Sequence, residues 1–302
     1  MPPEGVGRSR LTDSTMPTEY PRISVVTPSF NQGRFLEETI RSVVEQDYPN
    51  LEYIIQDGGS TDGSAGIIRR YEDRIDFWES GPDGGQSAAI NKGFARATGD
   101  FLMWINSDDM LAPGCLSRLA ASGVLKPNRL VVGRCDWIDS DGNILRKAHQ
   151  TRITNLFELY RFWDIWFRRG AIIQPETVFC RELFQRVGGL DNENHHAMDY
   201  DLWIKMLKAG GELVHVPVDV GIFRRWEGQK VSFEREVRMS MCQVALGHVE
   251  PDSGLPPRRT RWLKAAITHY RDNWGKRAPD LPLPVRKVRS AFIRARRVVR
   301  GY

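Results

Sequence analysis

Two carboxylates stand side by side at Asp108 and Asp109, directly after the apolar run Phe101-Leu102-Met103-Trp104-Ile105. Adjacent acids at the end of a buried segment repel each other, and a cation or hydrogen-bond donors must relieve the repulsion. Mg2+ or Mn2+ suits such a place, because hard cations take oxygen ligands and share them with phosphate. The alternative makes Asp109 the N-cap of a helix beginning at Met110. A second group is Asp57-Gly58-Gly59-Ser60-Thr61-Asp62-Gly63. Its leading carboxylate is able to accept from a base N–H or a ribose hydroxyl, and Gly58 and Gly59 let backbone come close to a ligand. An Asp-Gly hairpin is the competing reading, but a helical pattern follows. Asp199 and Asp201 open a later helix, and their i, i+2 spacing puts them on different faces, so one hydroxyl does not reach both.

The segments around these groups alternate strand and helix signals. Ile23 to Thr27 is β-branched and stops at Pro28, Tyr53-Ile54-Ile55 is a second strand, and Ile75 to Trp78 is a third. Between them Arg34 to Glu45, Gly66 to Tyr71 and Ser87 to Ala97 carry helical spacing. Phe101 to Ile105 is apolar without a break, as expected of a strand buried on both faces of a parallel sheet. This βαβαβαβ order is that of a doubly wound α/β sheet. Ligands then bind beyond the carboxyl ends of the strands, where Pro28 to Asn31, Asp57 to Asp62 and Asn106 to Asp109 all fall. Further on, Arg129–Asp136 and Ile144–His149 read as a hairpin around residues 139–143. Ile172–Cys180 reads as a strand, Asp199–Ala209 as a helix, and 214–216 and 221–223 as two late strands.

Val25-Val26-Thr27-Pro28-Ser29-Phe30-Asn31, the Asp57–Gly63 loop, Asn91-Lys92-Gly93 with Ala97-Thr98-Gly99-Asp100, and Asn106-Ser107-Asp108-Asp109 occur in an order and spacing that resembles the donor half of family 2 glycosyltransferases. A weaker likeness continues through Met198-Asp199-Tyr200-Asp201-Leu202-Trp203. The resemblance implies a GT-A fold, a Rossmann-like α/β sandwich with a mostly parallel central sheet. It implies an inverting enzyme that moves a sugar from a nucleotide-diphosphate sugar to an acceptor hydroxyl, in cell-surface polysaccharide or glycolipid synthesis, with a divalent cation, Mn2+ or Mg2+, as cofactor. On the same ground Pro28 and Asp57 contact the nucleoside, and Asp109 ligates the metal. Asp108 lies against ribose or metal, while Asn91 and Lys92 lie near diphosphate and sugar. Many members carry Asp where this chain has Asn106, so that donor-binding position is an amide without charge. Asp199 is the implied general base for the acceptor hydroxyl, with Met198 where the family's Glu usually stands and Asp201 as fallback. A sugar-nucleotide-binding protein without activity and a nucleotidyltransferase are the rival classes. The second would need a Gly-rich basic loop near its first strand, and Pro28 to Gly33 is not one.

The late segment Arg224-Arg225-Trp226-Glu227-Gly228-Gln229-Lys230 reads as a loop able to close over a diphosphate. Trp163, Trp166, Trp203 and Trp226 divide between core and sugar stacking, and His215, alone in an apolar strand, reads as structural.

Composition sets the outer limits. The chain has 302 residues, 41% hydrophobic and 27% charged, and no apolar run approaches a membrane span. Cys115, Cys135, Cys180 and Cys242 are scattered, which fits a reducing cytoplasm better than a disulfide or zinc framework. Fourteen Lys and Arg face two acids from Arg258 to Tyr302, a local +12 that leaves −7 for the rest of a chain of net +5. That asymmetry speaks against a nucleic-acid-binding face. Val285, Val288, Phe292, Ala295, Val299 and Tyr302 recur at helical spacing among the arginines, a pattern suited to peripheral contact with an anionic membrane, with docking on the acidic body as the alternative. The expected organisation is a disordered leader (1–20), a GT-A domain (21–232, donor half to 125, acceptor half from 126), and a helical basic extension (233–302). A nucleotide-sugar donor and a sugar or lipid-linked acceptor are the expected partners.

Overall fold

The structure, a computed structural model of the chain, describes residues 20–163, 165, 170–229, 234–249 and 253–273. The leader, Trp166, Lys230 and the amphipathic pattern beyond residue 273 lie outside the described residues.

Parallel strands come first. β1 (Ile23–Ser29) pairs in parallel with β2 (Leu51–Asp57) on one side and β4 (Phe101–Trp104) on the other, and β2 pairs in parallel with β3 (Phe77–Ser80). Helices α1 (Gly33–Val44), α2 (Ser64–Arg69) and α3 (Gln86–Arg96) form the connections. β1 runs past Pro28 although a ladder N–H is missing there. Ser29 faces β2, accepting from Gly58 N at 2.8 Å. Pro28 therefore faces the β4 side, where pairing has already ended at Val26–Trp104, so no bond is lost. The third strand begins two residues later than the pattern suggests, because Glu72–Arg74 forms a 3-10 turn and Asp76 takes the Tyr53 N–H at 2.8 Å.

The second half adds β5 (Met110–Leu111), α4 (Cys115–Ala121), the hairpin strands β6 (Arg129–Ile138) and β7 (Ile144–His149), α5 (Leu156–Tyr160), β8 (Thr177–Cys180), α6 (Arg181–Arg186), α7 (Met198–Lys208) and β9 (Glu212–Arg224). The hairpin forms as its pattern indicates, with Asp139 collecting the Asp141 and Asn143 backbone N–H groups. Only the last four residues of the expected 172–180 strand are extended, since Gln174-Pro175-Glu176 makes a 3-10 turn. The two late strands are one, which pairs with β6 through a register shift near Arg134. The sheet order is β3-β2-β1-β4-β8-β6-β9-β5, with β7 on β6. Strand order reverses beside β1, which opens a crevice at its carboxyl end.

Phe94 of α3, Trp104 of β4, Phe179 of β8, Phe184 of α6 and Trp203 of α7 form one buried aromatic cluster, with Trp104 stacked on Trp203 at 5.8 Å. Large buried rings contribute about 0.5–1.5 kcal/mol per pair beyond their area, so this cluster ties the two halves of the sheet together. Trp203 is therefore core. Trp163 packs against Phe162, Trp262 and Tyr270. Two further helices, α8 (Glu234–Val249) and α9 (Pro257–Asn273), bury Met241, Cys242, Leu263 and Ile267 in the same core. Among the described residues no helix is long and apolar enough to cross a membrane.

Candidate active site

A cavity of about 840 Å3 opens at the carboxyl ends of β1, β2 and β4. Its walls include Pro28 and Phe30 after β1, Asn106 to Asp109 after β4, the turn at Gln174, the start of α7 at Asp199, and Trp226 to the rear. Pro28–Asn31, Asn106–Asp109 and Asp199 therefore meet in one place, and the Asp57–Gly63 loop joins them through Gly58.

The Asn106–Asp109 turn is held from all sides. Ile105 N donates to Val26 O at 2.9 Å as β4 ends, and Asp109 N closes the turn on Asn106 O at 3.0 Å. Met110 and Leu111 continue as strand, and the next helix starts only at Cys115, so Asp109 is not a helix cap. The Asn106 amide accepts from Gln86 Nε2 at 2.8 Å and donates to Gln174 Oε1 at 3.1 Å and to Asp109 Oδ2 at 3.3 Å. A carboxylate at 106 has no hydrogen to give Asp109. The departure from the usual Asp thus places a donor beside a buried acid that needs one.

Asp109 is fully buried. Burial first, and then the charge of Asp108, push its carboxyl well above the ordinary range, against the opposing Arg224 N–H at 2.9 Å. Asp108, nearly buried, receives Trp226 Nε1 at 2.8 Å and Gln229 Nε2 at 2.9 Å on a single oxygen. Arg224 ends β9 beneath both acids. Its Nε donates to Asp108 O at 3.0 Å, its Nη2 reaches Glu38 of α1 at 2.6 Å, and its guanidinium sits 4.7 Å from the Phe35 ring centre. Arg224 is only 1% exposed. Sequence reading assigned it to a mobile basic loop, although an Arg directly closing the apolar Gly221-Ile222-Phe223 stretch is a signal for a buried cation near acids.

Asp199 lies on the facing wall, in the first turn of α7. It is not the N-cap, which is Ala197. Its Oδ1 accepts from Tyr200 N at 2.7 Å, and burial raises its pKa to about 6. Asp201 turns away, bonded to Lys205 at 2.6 Å and His248 at 2.7 Å, so only one of the two acids faces the cavity.

Asp57, Asn91 and Lys92 each have protein partners beside the cavity. None lines the cavity. The Asp57 carboxylate is taken up by Ser60 N, Ser60 Oγ and Ser80 Oγ at 2.6–2.9 Å. Asn31 and Asp62 stitch the same loop to the start of α1. Gly58 reaches the wall in its place, packed so tightly that a Cβ there would stand 2.9 Å from Asp83 and 3.1 Å from Phe30. Asn91 spans Leu190 through both its N–H and C=O at 2.9 and 3.0 Å, and Lys92 pairs with Glu79 at 2.7 Å. His215 bonds Ile153 O at 2.7 Å and does not line the cavity.

A divalent cation is testable against these groups. Adjacent acids, one of them with its ionisation opposed by the other, suit a cation held by one or two carboxylates and completed by phosphate oxygens. Among the described residues no cluster of three His, Cys, Asp or Glu is present, so the described residues supply no full protein cage. The residues fit the substrate-completed kind of site.

The profile of the family described as glycosyl transferase family 2 matches residues 24–188. A GalNAc(5)-diNAcBac-PP-undecaprenol beta-1,3-glucosyltransferase of Campylobacter jejuni is 32% identical over 206 residues, covering 65% of this chain and 62% of that protein. The chain spans between 29% and 62% of the length of the first curated relatives it matches. Among solved structures, S. aureus TarS 1-349 in complex with UDP-GlcNAc superposes with a TM-score of 0.63 at 16% identity, covering 82% of this chain and 72% of that one. A mannosyltransferase from Pyrobaculum calidifontis in complex with GDP-Man and Mn2+ also gives 0.63, at 20% identity over 95% and 82%. These likenesses speak for the fold, which is the GT-A α/β arrangement with a curled central sheet.

Proposed function

The chain belongs to glycosyl transferase family 2, and we propose that it moves a sugar from a nucleotide-diphosphate sugar to an acceptor hydroxyl with inversion. The observation that carries this reading is the facing of Asp108 and Asp109 across one cavity from Asp199. The crevice beside β1 is of nucleotide-sugar size. Pro28, Phe30 and the Gly58 backbone would receive the nucleoside, and Asn106 and Asp108 the ribose or phosphates. Asp57, Asn91 and Lys92 act one layer back, holding the loops that form these walls.

Asp109, with Asp108, would hold Mn2+ or Mg2+, and a cation there supplies positive charge against the leaving diphosphate. Gln174 and Gln86 keep Asn106 turned so that its N–H steadies Asp109. Asp199, ionised above about pH 6, accepts the proton of the acceptor hydroxyl as that oxygen attacks the anomeric carbon. A single displacement from the face opposite the diphosphate inverts the anomeric centre. The name of the Campylobacter relative supports a lipid-linked sugar as acceptor, and the basic tail composition supports contact with an anionic membrane from the cytoplasmic side.

A thermal-shift panel of UDP-, GDP- and dTDP-sugars, each with and without Mn2+, tests the reading. At least one donor should stabilise the chain more with Mn2+ than without, and Asp109→Ala should erase that increment. No stabilisation by any donor would overturn the assignment.

A further inference from the structure

Between Pro257 and Lys264 the sequence places Arg258, Arg259, Arg261 and Lys264 without one acid among them. These residues open α9. Leu263, Ile267 and Tyr270 recur there at i, i+4 and i+7 and are buried, which fixes the inward face of the helix. All four cations are exposed on the outward one. Arg258, Arg259 and Arg261 have no acidic partner among the described residues. The acids on the adjoining segments are already engaged. Glu158 accepts from Thr154 N and Oγ1 at 2.8 and 2.9 Å, Asp272 pairs with Arg271 at 2.9 Å, and Glu234 pairs with Arg238. After Asn273 the sequence adds nine more Lys and Arg against one acid. The whole of α9 lies past residue 188, where the family match ends.

Beside this charge runs a strip of rings. Phe157 of α5 and Trp163 beyond it meet Trp262 of α9, with ring centres 6.0 and 6.3 Å apart, and all three are half-buried. The Arg259 guanidinium lies 5.0 Å from the Phe157 ring centre and that of Arg161 lies 5.7 Å from it. Half-immersed rings interleaved with cations suit the boundary of a bilayer, where aromatic side chains favour the headgroup level and cations favour anionic phosphates. A single-stranded nucleic acid, by contrast, needs open ring faces on which bases stack. Here two guanidinium groups lie over Phe157, and Trp262 is packed between Phe157 and Trp163.

We propose that the outward face of α9, with the ring strip beside it, docks on an anionic phospholipid surface. The folded body then meets the membrane through its own surface and not through the tail alone. The proposal deepens the membrane contact within the glycosyltransfer reading, and its value to the enzyme, being held where a lipid-linked acceptor lies, rests on that reading. The docking itself needs no catalysis.

The test uses the full chain and vesicles of phosphatidylcholine, with and without phosphatidylglycerol, in a flotation assay. The chain should bind the anionic vesicles, ignore the neutral ones, and be released by salt. Arg258→Gln and Arg261→Gln should each weaken binding by about fivefold, and the double variant by about 25-fold, as the loss of one cation each near an anionic surface requires. Both positions are exposed, so melting and the donor-induced thermal shift should match wild type. A second readout places the contact. The native cysteines are buried, so Ala265→Cys on the exposed face of α9 takes an environment-sensitive dye selectively. Its emission should brighten and move to the blue on anionic vesicles. Wild-type binding by the double variant, or an unchanged dye on vesicles that do bind, puts the contact elsewhere and overturns the proposal. Tighter binding of single-stranded DNA than of vesicles, lost in the double variant, assigns the face to nucleic acid and also overturns it. A full chain that ignores anionic vesicles removes the membrane contact altogether, while an intact donor-induced shift leaves the transfer reading standing.

Discussion

Asp199 is a carboxylate whose ionisation the protein makes costly. Its folded pKa of about 6 lies above an unfolded value of about 3.9. Below both values it is protonated in either state and costs nothing. As pH rises from about 4 to 6 the unfolded chain releases its proton first, so stability falls across that window and stays reduced above it. The Asp199→Asn variant should therefore gain on the order of 2 kcal/mol over wild type in thermal unfolding at pH 8 and nothing at pH 4. The same group predicts the rate: kcat should climb through an apparent pKa near 6 and level off above it, and Asp199→Asn should bind donor normally and transfer nothing. Activity at pH 5 equal to that at pH 8 would move the base elsewhere. Asn106 offers a sharper test of the acidic pair. In Asn106→Asp a third carboxylate replaces the donor that Asp109 now uses, so titration calorimetry should show tighter Mn2+ binding, while the cation-free protein loses about 1–3 kcal/mol of stability.

At the scale of elements, the segment closing the site is the end of β9 and the turn that follows. Arg224 locks the strand end to the Asp108 backbone and to Glu38 of α1. Two residues on, Trp226 rests on Phe35 at 5.4 Å between ring centres and donates to Asp108, joined there by Gln229. Those two donors occupy an oxygen that a cation would also use, so closing this turn and loading the pair compete. Trp226→Phe and Gln229→Ala should each tighten Mn2+ binding measured in calorimetry, and the double variant more than either. Weaker binding in these variants would mean that the turn orients Asp108 for the metal rather than withholding it.

At the scale of the molecule, the aromatic cluster around Trp104 and Trp203 makes the two halves of the sheet one cooperative body. Trp203→Ala should cost about 3–5 kcal/mol, and the sheet should still unfold in a single calorimetric transition. Two transitions would show that the parallel half, with its own βαβ order, holds together without the rest.

Local chemistry was legible in the residues themselves. Alternating apolar strands and helices around β1, β2 and β4 carried the α/β class, because side-chain periodicity needs no distant partner. The polar groups at strand ends pointed to a crevice for the same reason, and Asn106 announced its departure by its side chain alone. Other matters depended on contacts across long stretches of chain. Asp57 has the right residue type and position, and only the fold shows that Ser60 and Ser80 bond its carboxylate while Gly58 lines the cavity wall. Lys92 is a cation near phosphate-binding loops, yet Glu79 claims it. Asp199 and Asp201 differ by two positions, and only packing against Lys205 and His248 decides which faces the cavity. Arg224 was readable as a loop charge until β9 carried it under Asp108, more than a hundred residues back. The acids at 108 and 109 stand in the sequence as a pair that repels. Tertiary structure decided how that repulsion is met, through an amide from Asn106, a backbone N–H from Arg224 and two donors from the closing turn, because such partners are brought together only by the fold.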